Sequence, residues 1–235
     1  MTGAALRSAL PCTARRSRLS LSATPLRYVA LMTTTEINSF HEGGAKIGGL
    51  IRHLSEDRIQ TTLAFRIPSG PVVHLFQETR FAASVFGWSA YRYVDHLQNI
   101  KVQVRAADQF GERDARTPIP SYAAHLVLTE FLASAAPQRD FRQFHEDDPS
   151  TAVSASFVGR GPETIQTPRG PRDALKVVLE VDGREGITFW CVDGVPVKSD
   201  WQGATSYSAT AGFVLRGLDA DVLAILKGAL TGIEG

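Results

Sequence analysis

The chain has 235 residues, enough for one domain with a sizeable core, and we predict a single domain. Its 25 lysine and arginine residues nearly balance 24 acidic residues, so the net charge of +1 argues against the concentrated basic surface of a nucleic-acid-binding protein. Although 43% of the residues are hydrophobic, no apolar run approaches the length of a membrane-spanning helix. We therefore expect no nucleic-acid partner and no membrane span.

The N-terminal segment is basic, with five arginines and no acidic residue in residues 1–31. Folded surfaces mix both signs of charge, so we predict that residues 1–35 are a disordered or non-native extension of a domain that spans residues 36–235. Three origins stay open: translated sequence upstream of a true start at Met32, a weak export signal, or a transit-type segment. We expect a cytoplasmic protein if Met32 is the start, and a periplasmic or secreted one otherwise.

The start of the domain is rich in glycine. Gly43-Gly44 and Gly48-Gly49 flank Lys46, but their spacing does not match that of a phosphate-binding loop. We therefore predict that residues 36–54 form a flexible lead-in or a lid.

Strand patterns follow. Residues 58–67 and 72–81 predict a hairpin, because a Pro-Ser-Gly-Pro turn separates them. Residues 82–94 contain several aromatic side chains and predict a curved strand pair around Gly87. Residues 101–104 predict one more strand.

Two segments have the period of an amphipathic helix. In residues 121–136 the stripe consists of Ala124, Leu128, Phe131 and Leu132. In the C-terminal segment it consists of Leu218, Val222, Ile225 and Ala229. We predict that the first helix lies in the mouth or on the concave face of a sheet, and that either helix closes a cavity. Residues 138–149 predict a polar loop between them.

The C-terminal strands give the clearest pattern. Residues 175–181 alternate between apolar and polar side chains, as expected for a sheet with one buried face. Asp182-Gly183 and Asp193-Gly194 predict tight hairpin turns on either side of residues 187–192. Residues 195–201 and 204–210 predict two further strands. The pattern indicates an antiparallel sheet that covers apolar volume.

The same stretch carries a resemblance. The segments TPRG, RDALKVVLEV, WCVDGVPVK and TSYSAT resemble the C-terminal half of a family of uncharacterised bacterial proteins related to the periplasmic lipoprotein carriers. The resemblance covers roughly the last third of the chain and implies a curved antiparallel half-barrel closed by helices over a hydrophobic cavity. It places a turn at Thr167, Pro168 and Gly170, a sheet aromatic at Trp190, and the next strand at residues 196–198.

Together these patterns predict an α+β fold. We expect a curved antiparallel β half-barrel in which a central amphipathic helix and a C-terminal helix close an apolar cavity, so that residues 36–235 form a single ligand-binding domain. Aromatic side chains of the predicted strands and helix are the candidate ligand-binding residues: Phe76, Trp88, Phe131, Phe189, Trp190, Trp201 and Tyr207.

Four polar side chains among the aromatic residues are the catalytic candidates. His74 and Glu78 are four apart and share a strand face, as do Tyr91 and Tyr93. If these faces turn inward together, desolvation would raise the pKa of Glu78 and suit it to acid or base chemistry. The same alternation also fits a solvated face, which we favour.

Other chemistry has little support. No two histidines have the spacing of a helical zinc pair, and the cluster His145–Asp148 is better interpreted as a solvated acidic loop, because adjacent side chains rarely point at one ion. His125 is interpreted as a packed core or boundary histidine, and Cys191 as a buried inert thiol. No hydrolase motif is present. We predict neither a metal nor a cofactor.

Two functions remain. The first is a non-catalytic protein that binds an apolar small molecule or lipid-like ligand. The second is a cofactor-free cyclase or isomerase of a polyketide-like or terpenoid secondary metabolite, which would act in the same cavity. The sequence leaves the ligand and the oligomeric state open.

Overall fold

The computed structural model describes residues 33–82, 84–110, 117–134 and 136–232, so the predictions for residues 1–32 lie outside the described residues. The described residues contain these strands: β1 Thr34–Glu42, β2 Ala45–Leu54, β3 Arg58–Arg66, β4 Val72–Phe81, β5 Trp88–Asp95, β6 Ile100–Arg105, β7 Ile119–Pro120, β8 Gln138–Phe144, β9 Ala152–Thr167, β10 Gly170–Val181, β11 Arg184–Val192, β12 Val195–Asp200 and β13 Thr205–Ser208. Their helices are α1 Ala106–Phe110, α2 Ala124–Leu132, α3 Ala211–Leu215 and α4 Ala220–Thr231.

The strands form one open sheet in the order β6-β5-β4-β3-β2-β1-β13-β12-β11-β10-β9-β8-β7. Strands that are consecutive in the chain pair with each other except β6 and β7, which lie at the two ends of the order. The pair β1–β13 joins the two halves, and only β7–β8 is parallel in the described sheet. The prediction of a mostly antiparallel β protein with a few helices is confirmed. None of the described helices has the length and apolar character needed to cross a membrane.

The sheet curls until its two ends meet. Strand β5 is second in the order and β8 is twelfth, yet the Phe144 ring lies 5.7 Å from the Trp88 ring and 5.5 Å from the Tyr91 ring, between centroids. The Tyr91 hydroxyl also donates a hydrogen bond to the carbonyl oxygen of Glu146 at 3.0 Å. Side-chain contacts therefore bring the two ends together where no ladder of backbone hydrogen bonds joins them. We call the enclosed face, which carries Tyr91 and Phe157, the inner face.

Helix α2 packs inside the curled sheet. Leu128 and Phe131 are buried in the main core, where the Phe131 ring stacks at 6.3 Å from Phe157 of β9. Each large apolar side chain buried in this way contributes roughly 1.5–3 kcal/mol relative to an exposed one. The helix is shorter than predicted, because residues 121–123 form a single tighter turn before it.

Helix α4 packs on the opposite face of the sheet. Its buried side chains Val222 and Leu226 contact Ile51 of β2 and Ala64 of β3, whereas the neighbouring Leu50 belongs to an inner cluster. Successive side chains of a strand point to opposite faces, so α4 lies on the outer face. The prediction that the C-terminal helix closes the same cavity as the central helix is therefore corrected.

The predicted Asp-Gly turns are confirmed. Asp182 and Gly183 have φ of 48° and 73°, and Asp193 and Gly194 have φ of 52° and 77°. Positive φ at both central residues is the conformation of a type I′ hairpin turn, which matches the twist of the flanking strands.

Three predictions from weaker patterns were wrong. Residues 36–54 form the hairpin β1–β2 with its turn at Gly43-Gly44, where a lead-in or lid was expected. Residues 138–144 form β8, where a loop was expected. Residues 82–94 contribute one strand, β5, after a short turn. In the first two cases sheet pairing overrides a local pattern of glycine or polar residues.

We predict that Gly48→Ala destabilises the fold by about 3 kcal/mol or more, because a Cβ there would overlap the carbonyl oxygen of Ala64 and the Cα of Phe65. Gly212→Ala is the control, since a Cβ at that helical position meets nothing within 4 Å. Urea unfolding of both variants measures the difference, and equal stabilities would contradict the close approach of β2 and β3.

Candidate functional site

A cavity of about 680 Å³ lies on the inner face, between the start of α2 and strands from both halves of the sheet. Pockets for small molecules typically have volumes of roughly 300–1,000 Å³. Much of its wall is apolar, formed by Leu50, Leu179, Val181, Ile187, Phe189 and Trp201. We call this space the inner cavity.

One wall of the inner cavity carries a charged cluster. Glu36 of β1 and Arg52 of β2 are directly opposite in the hairpin, and Nη1 of Arg52 donates to Oε2 of Glu36 at 3.1 Å. Nε2 of His125, from the first turn of α2, lies 3.0 Å from Oε1 of the same carboxylate. Arg52 also donates to Thr61 of β3 at 3.4 Å. The cluster thus links two strands to the helix inside the sheet.

The cluster fixes the charge state of its members. Burial alone would raise the pKa of Glu36, but His125 and Arg52 outweigh burial and lower the pKa to about 2. Burial, with the charge of Arg52 adding to it, lowers the pKa of His125. At neutral pH we therefore expect an ionised Glu36 beside a neutral imidazole. A carboxylate only accepts hydrogen bonds, so the proton of His125 lies on Nε2, which leaves Nδ1 as an acceptor.

A second polar group lies on the same cavity wall. The Ser121 hydroxyl donates to the carboxylate of Glu146, and His145 lies 3.3 Å from it. Burial alone would raise the pKa of Glu146, but the hydrogen bonds from His145 and Ser121 lower it. Burial raises the pKa of the neighbouring Tyr122 hydroxyl, which stays protonated. Gln143 is 7% exposed, and its Oε1 has no hydrogen-bond partner among the described residues.

The structure does not bring the four catalytic candidates together. In the register of β4 and β5, Glu78 lies opposite Arg92, Tyr91 lies opposite Thr79, and Tyr93 lies opposite Gln77. Glu78 and the two tyrosines therefore lie on opposite faces of the sheet. The prediction that Glu78 and the two tyrosines turn inward together is therefore wrong.

His74 and Glu78 line a different recess, an outer cleft of about 1210 Å³ beside α4. Glu78 forms ion pairs with Arg80 at 2.8 Å and Arg58 at 3.7 Å. The His74 ring stacks on His96 at 4.1 Å, and burial together with the charge of His96 lowers the pKa of His74 to about 4. Glu78 is thus a partner of surface arginines and does not face the inner cavity.

The candidate aromatic residues divide into three groups. Phe189 and Trp201 line the inner cavity. Trp88 and Phe131 fill the core, where the Trp88 indole donates to the carbonyl oxygen of Pro118 at 2.8 Å. The other three do not belong to the inner core: Phe76 lines the outer cleft, Trp190 belongs to a separate cluster, and Tyr207 lies against His41. Strand alternation explains the division, since Trp190 follows Phe189 directly.

Most of the polar cavity wall is not evident from the sequence. No sequence pattern points to Glu36, Arg52 or Gln143, while His125 is predicted to be a core or boundary histidine and Glu146 to belong to a solvated loop. The available signal was the pair of opposite charges at Glu36 and Arg52, which becomes visible once residues 34–54 are recognised as a hairpin. No cluster of three or more His, Cys, Asp or Glu side chains suited to a metal occurs within the described residues.

The thiol of Cys191 is buried in the core beside this site. Burial raises its pKa to about 12, so it stays protonated at neutral pH. A protonated buried thiol is a poor nucleophile, because the thiolate is the reactive form.

The comparisons with known proteins are sparse. No protein-family model and no curated protein matches the sequence. Among solved structures, the chain is similar to a beta-barrel-like protein of the domain of unknown function DUF1849 from Brucella abortus, with 9% sequence identity and a TM-score of 0.48. The match covers 76% of this chain and 95% of that chain. We infer no function from it, and a relation to the lipoprotein carriers remains a prediction from the sequence.

We predict that Glu36→Gln lowers the free energy of unfolding at pH 7 by roughly 3 kcal/mol, because it removes an ionised partner of Arg52. The pKa of Glu36 falls from an ordinary 4.5 to about 2 on folding. The ionised form therefore stabilises the fold above pH 4.5, and this contribution is lost as the pH falls toward 2. The difference between wild type and variant should shrink accordingly.

Urea unfolding at pH 7 and pH 3 tests this prediction. Glu163→Gln is the matched control, because Glu163 forms an exposed pair with Lys176 at 3.7 Å and such pairs contribute about 1 kcal/mol or less. A Glu36→Gln difference that is the same at both pH values would contradict the assigned ionisation.

Proposed function

We propose that the protein binds a small, largely apolar molecule in the inner cavity of a half-barrel whose mouth is partly covered by α2. The proposal rests on the lining of this cavity, which has a volume of about 680 Å³. Aliphatic and aromatic side chains form one part of its wall, and a cluster of polar side chains forms another. Ligand pockets commonly combine a mostly apolar wall with a few polar groups that orient the ligand.

The apolar wall supports this proposal through its chemistry. Leu179 and Val181 of β10 and Ile187 and Phe189 of the neighbouring β11 all line the cavity, on paired strands that a tight turn connects. Removing apolar ligand surface from water contributes roughly 25 cal/mol per Å². A ligand that covers this wall gains affinity from burial alone. Because regular strands carry the wall, little ordering is required on binding.

The polar wall of the inner cavity favours a ligand that is not wholly hydrocarbon. This wall consists of Glu36, Arg52, Ser121, Tyr122, His125, Gln143 and Glu146. Glu36, Arg52 and His125 satisfy one another, but the cavity is also lined by Tyr122 and by Gln143, whose Oε1 has no partner among the described residues. A ligand with one polar end would place that end here and its apolar body toward Phe189 and Trp201.

We predict that the dye N-phenyl-1-naphthylamine binds the wild-type protein saturably, with the fluorescence increase of an apolar site. Val181→Trp should weaken this binding by about tenfold or more, because the larger side chain fills the cavity. Fluorescence titration measures the dissociation constants, and circular dichroism confirms that the variant is folded.

The matched control is Leu175→Trp. Leu175 lies on the same strand but is 39% exposed and does not line the inner cavity. If the dye does not bind, or binds both variants as wild type does, the proposal fails.

A second candidate function uses the same cavity. The protonation of His125 on Nε2 leaves Nδ1 as a base, and Glu36 would stabilise the imidazolium that forms when Nδ1 takes a proton. Tyr122, protonated beside it, is a proton donor. This arrangement favours a cofactor-free isomerase or cyclase over other enzyme classes, because it supplies a base and an acid without a nucleophile.

Catalysis by this arrangement makes a different prediction. Incubated with a small-molecule extract of the source cells, substoichiometric wild-type protein should convert one compound into an isomer of the same mass, whereas His125→Gln should leave it unchanged. Mass spectrometry with chromatographic separation detects the change. His53→Gln is the control, because His53 bonds Thr35 and the carbonyl oxygen of Ala229 and does not line the cavity. If no compound is converted while the dye still binds, the proposed catalytic function is contradicted and the binding function stands.

A further inference from the structure

We propose that the polar end of the ligand is an uncharged group that both donates and accepts hydrogen bonds, a hydroxyl or a carboxamide, and that the Gln143 amide holds it. This inference rests on the proposed binding function and names the class of ligand that the inner cavity takes. The physical basis is the hydrogen-bonding balance of the polar wall, taken side chain by side chain.

The side chain of Gln143 is buried and carries an acceptor without a partner among the described residues. This residue is more than nine-tenths buried at the end of β8 and lines the inner cavity. An unsatisfied buried acceptor costs roughly 1–3 kcal/mol. A side-chain amide presents an acceptor and two donors, and a group with matching capacity in the ligand would satisfy both kinds.

The charges on the polar wall disfavour an anionic head there. Two of the three carboxylates that line the cavity, Glu36 and Glu146, lie on this wall, and the pKa of each is lowered, so both are ionised at neutral pH. The third, Glu185, pairs with Arg160 at 3.3 Å. Arg52 is the guanidinium of the polar wall, and its charge is already directed at Glu36 at 3.1 Å. An anionic head placed beside Gln143 would meet these two like charges, because Arg184, the other arginine that lines the cavity, starts β11 and lies three strands away from β8. Like charges at close range in a partly buried site are unfavourable.

A cationic head would be attracted by these carboxylates, but it would lose its hydration on entering a mostly apolar cavity, and both carboxylates of the polar wall already have partners. Arg52 is 6% exposed and lies within the same group of residues, while the carboxylate of Glu36 is shared between Arg52 and His125. The carboxylate of Glu146 is likewise engaged by Ser121 and His145. Both acidic groups therefore already have partners, whereas Oε1 of Gln143 lacks one among the described residues. An uncharged hydroxyl or amide matches it without moving any ion pair.

Competition among probes of one chain length tests the inference. We expect decan-1-ol and decanamide to displace N-phenyl-1-naphthylamine from the wild-type protein with at least about fivefold higher affinity than decanoate or decylamine, in line with the gain from one buried hydrogen bond. The ten-carbon chain is the same in all four probes, so the head group alone decides the order.

Substitution at Gln143 assigns the effect to the amide. Gln143→Leu keeps the volume, and we expect it to weaken decan-1-ol by roughly tenfold while the dye itself still binds. Gln143→Glu adds a negative charge and should move the preference toward decylamine. Gln138→Leu, at an exposed glutamine of the same strand, is the control and should change nothing.

The outcomes separate this inference from the proposed function. If the dye does not bind, the binding function fails. If the dye binds but decanoate or decylamine is preferred, or if Gln143→Leu leaves the decan-1-ol affinity unchanged, the binding function stands and the hydroxyl or amide specificity is overturned. An unchanged affinity would mean that water satisfies Gln143.

Discussion

The contact between the two ends of the sheet is the constraint on which the rest of the structure depends. An open sheet has two faces, and neither encloses anything until the sheet bends. Trp88 and Tyr91 near one edge meet Phe144 near the other, and this aromatic cluster turns one face into an interior. Aromatic pairs of this kind stabilise by about 0.5–1.5 kcal/mol beyond their burial. Helix α2 then fills part of the interior, and the space left beside its first turn is the inner cavity.

The charged cluster within that interior is not explained by stability alone. Removing Glu36 and Arg52 from water has a desolvation cost, and a buried ion pair is often no more stabilising than apolar residues of the same volume. The same holds for Gln143, whose amide would be replaced by leucine without a steric penalty. A fold that needed only a filled core would not require these groups. A ligand that contacts the polar wall gives them a physical reason, which is why both proposals are placed there.

The sequence predicts those features of the fold that depend on neighbours in the chain. The Asp-Gly turns and the two amphipathic helices follow from local periods and backbone conformation. The alternation predicted along residues 175–181 holds only in part, because Val177 and Leu179 are buried as expected but Leu175 is 39% exposed and Val178 is buried. The curl of the sheet depends on contacts between distant strands, so the sequence does not reveal which face becomes the inner one. For this reason Glu78 and Tyr91 were grouped together, although their register places them on opposite faces. From the sequence alone, the glycine at position 48 suggests local flexibility. In the structure a glycine is needed there because the backbone of Phe65 comes too close for a Cβ.

Binding and catalysis make different demands on the same wall, and His125 distinguishes them. For binding alone, His125 needs only to hold Glu36 in place, and its neutral form suffices whichever way Nδ1 points. For catalysis, Nδ1 must reach the ligand, and the imidazolium must be stabilised although burial lowers the pKa of His125. The ionised Glu36 opposes that effect through the hydrogen bond at 3.0 Å. The cluster therefore has the charge arrangement that a proton-transfer site requires, while the apolar wall by itself would serve a carrier equally well.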